Sequence, residues 1–328
     1  MRDTTAIGDE QRAYCRYLDH GEDRDTHAAQ PPHVGQRRRT WAVVRRPRAA
    51  HSRPSTVEGR MSHMATAGVE VPAEVTPEGA AYVSDLAVEL LRRLGCRYVP
   101  LNPGSSFRGL HDSLVNHGGN RAPQLLLCLH EEIAVSMAHG YGKATGEVAA
   151  AAVHDLVGLM HATMAVYNAW CDRTGVLLLG GGGPADTRAR RRIDWLHSAA
   201  VHAQLVRDYV KWDDEPADPQ GMLNAIARGH MLAASAPSGP VYVTMDAALQ
   251  EMALPDGIVL PDERLSRPTP GPAADPDQVA AVASLLVEAE QPVVVGGRVG
   301  LNTAATSALT GLVERLGAAY RDDRNVVA

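Results

Sequence analysis

The sequence predicts an α/β protein in which helices cover both faces of a parallel sheet, followed by the start of a second α/β domain. Two observations predict this fold class. The strand candidates, such as PQLLLCL at 123–129 and GVLLLGGGG at 175–183, are continuous apolar runs rather than alternating patterns. Strand and helix candidates also alternate along the chain, as expected when helical crossovers join parallel strands. A chain of 328 residues with 45% hydrophobic residues can bury the core that this fold requires.

The first domain is predicted to open with a helix over TPEGAAYVSDLAVELLRRLG, in which Thr76 suits the N-cap and Gly95 provides a stop. The next elements are, in order, the strand CRYVPL, the helix FRGLHDSLVNHG, the buried strand PQLLLCL, the helix HEEIAVSMAHGYGKATG closed by Gly146, the strand EVAAAAV, the helix GLMHATMAVYNAW, the strand GVLLLGGGG, the helix PQGMLNAIARGHMLAAS and the strand GPVYVTM. The run Gly180–Gly183 fits no phosphate-loop motif, so we interpret it as a flexible exit from its strand before a solvated basic run.

The domain organisation follows from shifts in composition. The first domain is predicted to span residues 76–253, and residues 254–272, rich in proline and polar side chains, predict a linker. Residues 273–328 open a second α/β unit with a helix at 276–290, the strand QPVVVGG and a helix at 302–317. One strand and two helices cannot bury their own apolar faces, so we expect an incomplete domain and a chain cut short within it.

Residues 1–70 predict a disordered tail rich in arginine. Residues 1–60 hold 12 Arg and 8 Asp or Glu without sustained periodicity. The whole chain carries a formal net charge of −6, so no overall basic field attracts nucleic acid or an anionic membrane. A nucleic-acid-binding role for the tail is an alternative, and it predicts strongly salt-dependent DNA binding.

Signals for membranes, secretion and metals are lacking in the sequence. No apolar run reaches the roughly 18 residues that a membrane span needs, and the N-terminus lacks the apolar core of a secretory signal. The four cysteines lie far apart and form no C-x-x-C pair. The sequence therefore predicts a cytoplasmic protein with neither a disulfide framework nor a zinc site.

Polar residues follow three of the predicted strands. They are NPGSS at 102–106, HEE at 130–132 and the His-Asp pair that ends VHD at 153–155. Each has a simpler explanation, as a turn, as acids at a helix start, or as a structural histidine. Because ligands in open α/β sheets collect beyond the carboxyl ends of strands, their coincidence predicts a shared site. His154 and His161 show no metal-ligand spacing, so no metal is assigned.

Together these motifs resemble the N-terminal, pyrimidine-binding domain of thiamine diphosphate-dependent enzymes of the acetolactate synthase and benzoylformate decarboxylase group. The resemblance covers about residues 77–317. It rests on NPGSS as the first loop, HEE with AHGYGKATG as the acid and helix, VHDLVGLMHATMAVYNAW as the third loop and helix, DRTGVLLLGG as the next strand, and QPVVVGGRVG as entry into a central domain. It implies the thiamine diphosphate-binding fold.

The resemblance assigns the main role to Glu131. In the resembling enzymes the acid at this position holds N1′ of the cofactor's aminopyrimidine and favours the imino tautomer that takes the proton from thiazolium C2. An acid in an apolar groove is expected to have a raised pKa, which would assist this proton sharing. The resemblance also assigns cofactor binding to Asn102, Pro103, Gly104 and His161, although related enzymes have Asn at the position of His161.

Ser105 and His154 match positions that benzoylformate-type decarboxylases use in acid–base work. His154 is expected to protonate the reaction intermediate, and Ser105 to orient the substrate carboxylate. Acetolactate synthases usually have a Gly-Pro-Gly-rich loop where this chain has HDLVG, and Gln where it has Glu132. The resemblance therefore favours decarboxylation or carboligation of a 2-keto acid.

Other parts of the family's site are absent from these 328 residues. The Gly-Asp-Gly motif, through which a C-terminal domain holds Mg²⁺ and the diphosphate, does not occur. The resemblance thus implies thiamine diphosphate and Mg²⁺ as cofactors, but we expect the chain alone to be inactive. It also implies a homodimer or homotetramer, or a complementing chain that carries the diphosphate domain. An acetolactate synthase-like large subunit and a non-catalytic dimerising or regulatory half-site module remain alternatives.

Overall fold

A six-stranded parallel sheet forms the centre of the structure. The computed structural model describes residue 70 and residues 79–268 and 271–322. The strands of this sheet are β1 (Tyr98–Leu101), β2 (Gln124–Leu127), β3 (Ala149–Val153), β4 (Val176–Gly182), β5 (Asp213–Asp214) and β6 (Val241–Asp246). They lie in the order β2-β1-β3-β4-β6-β5, and every adjacent pair is parallel. The predicted parallel sheet is confirmed.

Helices cover both faces of this sheet. They are α1 (Val83–Arg93), α2 (Arg108–Asp112, continued by a π-helical turn to His117), α3 (Glu131–Thr145), α4 (Asp155–Cys171), α5 (Arg192–His197), α6 (Pro219–Ala234) and α7 (Ala247–Gln250). Ala150 and Ala152 of β3 point into the core that contains α1 and α6, whereas Ala149 and Ala151 point into the core that contains α3 and α4. Successive strand residues face opposite sides, so a strand covered on both faces must be apolar throughout.

Two helices end at the glycines that the sequence predicted as stops. Gly95 after α1 has φ +84°, and Gly146 after α3 has φ +74°. Glycine adopts this left-handed conformation without the steric cost of a Cβ, which explains why both helices end there. The prediction that Thr76 caps α1 was wrong, because this helix begins at Val83 with Tyr82 as its N-cap. The predicted tail, apart from residue 70, lies outside the described residues.

Strand β2 lies at an edge of the sheet, and the prediction that its apolar run is buried holds for Leu125 and Cys128 but not for the whole run. Within the described structure β2 pairs with β1 alone. Leu127 in the strand is 46% exposed, and Leu129 just beyond it is 94% exposed. An apolar run does not distinguish a central strand from an edge strand, because strand order depends on the whole sheet.

The glycine run belongs to β4, so its interpretation as a flexible strand exit was also wrong. Gly180 to Gly182 are buried within the strand. A Cβ at Gly180 would lie 1.9 Å from the hydroxyl oxygen of Tyr242, and one at Gly181 would lie 2.0 Å from Oγ of Ser106. These positions therefore take glycine because neighbouring groups approach the backbone closely.

A second, two-stranded sheet follows the six-stranded sheet along the chain. This part of the chain contains α8 (Pro276–Glu288), β7 (Val293–Gly296), α9 (Thr303–Leu316) and β8 (Ala319–Asp322). Strands β7 and β8 pair in parallel, so the expectation of a single strand here was wrong. The missed strand reads AYRD, which is too short and too polar to stand out from a loop. Apolar side chains of α8 remain exposed, among them Val279, Val282 and Leu285. None of the helices in the described residues has the length and apolar character to cross a membrane.

Candidate functional site

The three predicted polar segments meet at one edge of the sheet. Strand β1 lies between β2 and β3, so the carboxyl ends of these three strands are adjacent. NPGSS extends from β1, HEE follows β2 and begins α3, and His154 links β3 to α4. The parallel direction of the strands brings these segments together although 20 to 50 residues separate them in the sequence.

Glu131 is a buried acid at the start of α3, only 4% exposed. His130 caps the helix by accepting the Glu132 N–H on its Nδ1 atom at 3.2 Å. One carboxylate oxygen, Oε2, lies 3.2 Å from Nδ1 of His161 on α4. Helix α4 passes close to the other carboxylate oxygen, Oε1, since a Cβ at Gly158 would lie 3.0 Å from it. A glycine at position 158 therefore leaves room for the carboxylate between α3 and α4.

The pKa of Glu131 is lowered, which corrects the expectation of a raised value. Burial acts to raise the pKa, as expected from the sequence. Hydrogen bonds from its own backbone N–H, from the Asn102 side chain and from His161 outweigh burial and hold the pKa below its usual range. The carboxyl group is therefore ionised at neutral pH in this structure.

The other residues assigned to cofactor binding surround this carboxylate in part. Asn102 hydrogen-bonds Glu131 from the end of β1, and His161 contacts it from α4 with a side chain that is 58% exposed. Pro103 is exposed in the loop after β1. Gly104 passes directly over His154, since a Cβ there would lie 2.4 Å from the Cβ of His154.

His154 is held by a serine that the sequence prediction did not select. Its Nδ1 atom lies 2.8 Å from Oγ of Ser106, which is buried and also accepts the backbone N–H of Asp155 at 3.1 Å. Ser105, which the resemblance assigns to the substrate carboxylate, accepts a hydrogen bond of 3.4 Å from Nη2 of Arg191. The two serines are neighbours in NPGSS, and the sequence carries no signal for which of them faces the histidine.

The electrostatic surroundings of His154 lower its pKa. Burial is the largest cause, and the positive charges of His197 and Arg191 act in the same direction. The negative charges of Asp155 and Glu131 oppose this effect without cancelling it. His154 is therefore neutral near pH 7.

Asp155 anchors a second layer beneath the site that the sequence analysis missed. It is almost fully buried with φ +45°, a left-handed conformation that is uncommon for residues other than glycine. Its carboxylate contacts His202 Nε2 at 2.7 Å and accepts a hydrogen bond from Ser198 Oγ at 3.0 Å. Burial raises its pKa, but these hydrogen bonds and that from Leu156 N–H lower it overall. The partners lie more than 40 residues away, so sequence spacing could not reveal them.

Among the described residues, one cluster brings potential metal ligands close enough to share an ion. It consists of His130, Glu131 and His161, whose ligand atoms lie within 4.8 Å of one another. The two imidazole rings stack with centroids 4.7 Å apart. Hydrogen bonds from Asn102 and His161 already engage the carboxylate. These contacts explain the cluster without an ion, and we assign no metal there.

The part of the chain that contains this site is similar to known proteins. Residues 82–204 match the N-terminal TPP binding domain of thiamine pyrophosphate enzymes. Benzoylformate decarboxylase from Pseudomonas aeruginosa is 27% identical over 217 residues, which are 66% of this chain and 39% of that protein. Acetolactate synthase from Bacillus subtilis is 24% identical over 234 residues, which are 71% of this chain and 39% of that protein.

A solved structure supports the same comparison. The thiamine diphosphate-dependent 4-hydroxybenzoylformate decarboxylase from Rhodococcus jostii superposes with a TM-score of 0.62 and 26% sequence identity. The match covers 73% of this chain and 44% of that chain. This chain thus spans less than half the length of each of these three proteins.

Proposed function

We propose that this chain binds thiamine diphosphate and takes part in decarboxylation or carboligation of a 2-keto acid, because residues 82–204 match the N-terminal TPP binding domain of thiamine pyrophosphate enzymes. The observation that carries the proposal is the buried, ionised Glu131 where three strand ends converge. Hydrogen bonds within the chain keep this carboxylate charged, and a charged carboxylate at this position suits a ligand that offers it an N–H donor.

The residues around Glu131 fit the aminopyrimidine end of this cofactor. An ionised carboxylate favours a proton on a ring nitrogen facing it, so Glu131 would hold N1′ in its protonated form. Asn102, Pro103, Gly104 and His161 would line the same groove. When bound, thiamine diphosphate stabilises the electron pair released as a 2-keto acid loses carbon dioxide.

His154 and Ser105 would act on the substrate. A half-buried, neutral histidine can accept or donate a proton at its Nε2 atom near neutral pH. Ser105 lies beside the Arg191 guanidinium, and a hydroxyl in a positive field suits the orientation of a substrate carboxylate. Mg²⁺ is proposed to accompany the diphosphate, with ligands from another domain or another chain, because no Gly-Asp-Gly occurs in this sequence.

A second copy of the chain is the proposed partner, in a homodimer or a larger homo-oligomer. Helices α3 and α4 lie side by side and share an exposed apolar surface, which we call the α3–α4 face. It consists of Ile133, Met137, Met160, Met164 and Tyr167, each between 43% and 58% exposed. Contiguous apolar surface of this kind marks interaction sites, and a chain with a complementing domain could also occupy it.

Ligand-observed NMR on the 328-residue chain tests the cofactor assignment. With thiamine diphosphate and Mg²⁺, saturation should pass from the protein mainly to pyrimidine protons. Glu131→Gln removes a charge-assisted hydrogen bond and should weaken binding by about 10- to 100-fold. The control Glu132→Gln changes an exposed neighbour and should bind like the wild type. Equal binding by Glu131→Gln and by the wild type, in an assembly that also supplies a diphosphate-binding domain, would contradict the proposal.

Turnover tests the reaction class. In an assembly that also supplies a diphosphate-binding domain, we expect release of carbon dioxide from benzoylformate or pyruvate. Glu131→Gln should abolish this release while the circular dichroism spectrum stays unchanged. A preference for pyruvate with acetolactate as product would favour the acetolactate synthase-like alternative, and binding without turnover would favour the half-site module.

A further inference from the structure

Arg191 places a guanidinium beside the serine proposed to orient the substrate. It precedes α5, and its Nη2 atom donates to Oγ of Ser105 at 3.4 Å. Ser105 follows Gly104, whose backbone passes over His154. On its other side, Ser106 contacts Nδ1 of His154 at 2.8 Å. The positive charge of Arg191 also contributes to lowering the pKa of His154. The guanidinium therefore lies at the rim of the proposed site.

Asp194 fixes the direction of this guanidinium. Its buried carboxylate accepts hydrogen bonds from Nη2 of Arg191 at 2.8 Å and from Nε at 3.2 Å, and it also accepts the Arg191 backbone N–H at 2.8 Å. Two hydrogen bonds from one guanidinium edge hold the group in a single orientation. Burial raises the pKa of Asp194, but the hydrogen bonds from Arg191 outweigh burial and hold the pKa below its usual range. Both groups are therefore charged at neutral pH.

Part of the guanidinium has donors left for a ligand. The contacts with Asp194 and Ser105 engage Nε and Nη2. Within the part of the chain that the structure describes, no residue accepts a hydrogen bond from Nη1. The Arg191 side chain is 39% exposed, so a molecule in the groove can reach it. Both N–H groups of Nη1 are thus available to an acceptor beside the Ser105 hydroxyl.

The acids near this guanidinium are each paired with an arginine. The charge of Glu251 acts on Arg191, and Glu251 forms an ion pair with Arg108 of α2. The charge of Arg108 acts on Asp194 in turn. These four side chains carry no net charge together, so they do not repel an incoming anion from the donors of Nη1.

The charge of the reacting carboxylate does not survive the proposed reaction, because that group leaves a 2-keto acid as neutral carbon dioxide. A cation bound directly to it would stabilise the substrate more than the transition state and would slow the reaction. A neutral hydroxyl, such as that of Ser105, can orient this carboxylate with less of that penalty. A fixed guanidinium instead suits a carboxylate that keeps its charge throughout.

We propose that Arg191 is a specificity-determining residue that binds a second, non-reacting carboxylate, so that the preferred substrates are dicarboxylic 2-keto acids. The inference rests on the proposed function and narrows the substrate class within it. Ser105 orients the carboxylate that is lost, and Nη1 of Arg191 binds the one that remains. Monocarboxylic acids such as pyruvate lack the second contact and are the poorer substrates.

Steady-state kinetics in an assembly that supplies a diphosphate-binding domain tests the substrate class. The dicarboxylic acids 2-ketoglutarate and 2-ketoadipate are compared with 2-keto-5-methylhexanoate, in which an isopropyl group replaces the second carboxylate of 2-ketoglutarate. The wild type should prefer at least one dicarboxylic acid by about 10- to 100-fold in kcat/KM, the effect of one charge-assisted hydrogen bond. A preference for the isopropyl compound over both dicarboxylic acids overturns the proposal.

Arg191→Gln separates substrate binding from a structural role. It should lower kcat/KM for the preferred dicarboxylic acid by about 10- to 100-fold. The loss should appear mainly in KM, because the second carboxylate is bound equally before and during the reaction. Turnover of the isopropyl compound should stay unchanged. The control Arg192→Gln removes the same charge from an exposed neighbour and should behave like the wild type. An equal loss for both classes of substrate contradicts the assignment.

A double variant guards against the unpaired buried acid that Arg191→Gln leaves behind. In Arg191→Gln/Asp194→Asn neither side chain is charged, so the cost of an unpaired buried carboxylate is removed. The circular dichroism spectrum should match that of the wild type, and the preference for the dicarboxylic acid should still be lost. A preference retained in this double variant overturns the proposal.

Binding without cofactor distinguishes a failure of this inference from a failure of the proposed function. Ligand-observed NMR with the same assembly, free of thiamine diphosphate, should show 2-ketoglutarate or 2-ketoadipate binding that Arg191→Gln weakens and Arg192→Gln does not. Such binding without decarboxylation would support the carboxylate site and reject the proposed reaction. Decarboxylation without any preference that depends on Arg191 would support the proposed reaction and reject the dicarboxylic substrate class.

Discussion

At the scale of single residues, the chemistry of the site depends on how the charge of Glu131 is compensated. Burial and hydrogen bonding act on its pKa in opposite directions, and hydrogen bonding prevails. Sequence reasoning identified the residue because two acids follow an apolar run and begin a helix. The expected pKa took only burial into account, however, because the hydrogen-bond donors Asn102 and His161 lie 29 and 30 residues away in the sequence.

The lowered pKa of Glu131 predicts how its contribution to stability depends on pH. The carboxyl group binds protons less readily in the folded chain than in the unfolded chain, where its pKa is about 4.3. Its charge therefore stabilises the fold above that value, and this stabilisation is lost as the pH falls through the folded-state pKa.

Urea denaturation of wild type and Glu131→Gln at pH 6 and at progressively lower pH measures this effect. The free energy of unfolding of the wild type should fall more steeply on acidification below about pH 5 than that of the variant. Parallel pH dependences in the two proteins would show that Glu131 is not favoured as an anion by the fold.

At the scale of elements, strand β4 shows how one strand shapes the site from beneath. Its glycines allow Tyr242, Ser106 and Thr244 to approach the backbone, and Ser106 in turn holds His154. The apolar part of β4 was recognisable from its leucines. Its glycine end was not, because a run of glycines is also typical of a flexible loop.

We expect Gly181→Ala to destabilise the domain by about 1–3 kcal/mol, since overpacking a filled site forces its neighbours to move. The new Cβ would lie 2.0 Å from Oγ of Ser106 and 2.8 Å from its backbone carbon, so rotation of the side chain cannot relieve the contact. Denaturation midpoints measure the loss.

The matched control is Gly140→Ala on α3, where a Cβ would meet no atom within 4 Å. Alanine is the better helix former, so this variant should be unchanged or more stable by up to about 1 kcal/mol. Equal stabilities for the two variants would refute the close-packing account of β4.

At the scale of the whole molecule, the six-stranded sheet and its helices bury two cores and still leave apolar surface exposed. The α3–α4 face adjoins the site, because α3 begins with Glu131 and α4 carries His161. A partner on this face would therefore lie close to the groove proposed for the cofactor. This placement links assembly to function.

Met164→Glu should weaken self-association, because a charge would be buried at an apolar contact. Met164 is 58% exposed in the single chain. Sedimentation velocity should show a dimer or larger species for the wild type and a shift toward monomer for the variant.

Val259→Glu provides the control for this experiment, since Val259 is an exposed apolar residue that is not part of the α3–α4 face. It should associate like the wild type. A monomeric wild type at micromolar concentration, or an unaffected Met164→Glu variant, would argue against this face as the interface.

The sequence by itself determined the alternation of strands and helices, the apolar strands β3 and β4, and the three polar segments that follow strand ends. These features are local, because periodicity, glycine stops and apolar runs act over a few neighbouring residues. The tertiary structure alone decided that β2 lies at an edge, that Ser106 and His197 hold His154, and that Glu131 is ionised. Each of these depends on groups from distant segments, which meet only when the crossover order of the sheet places their strand ends and helix ends together.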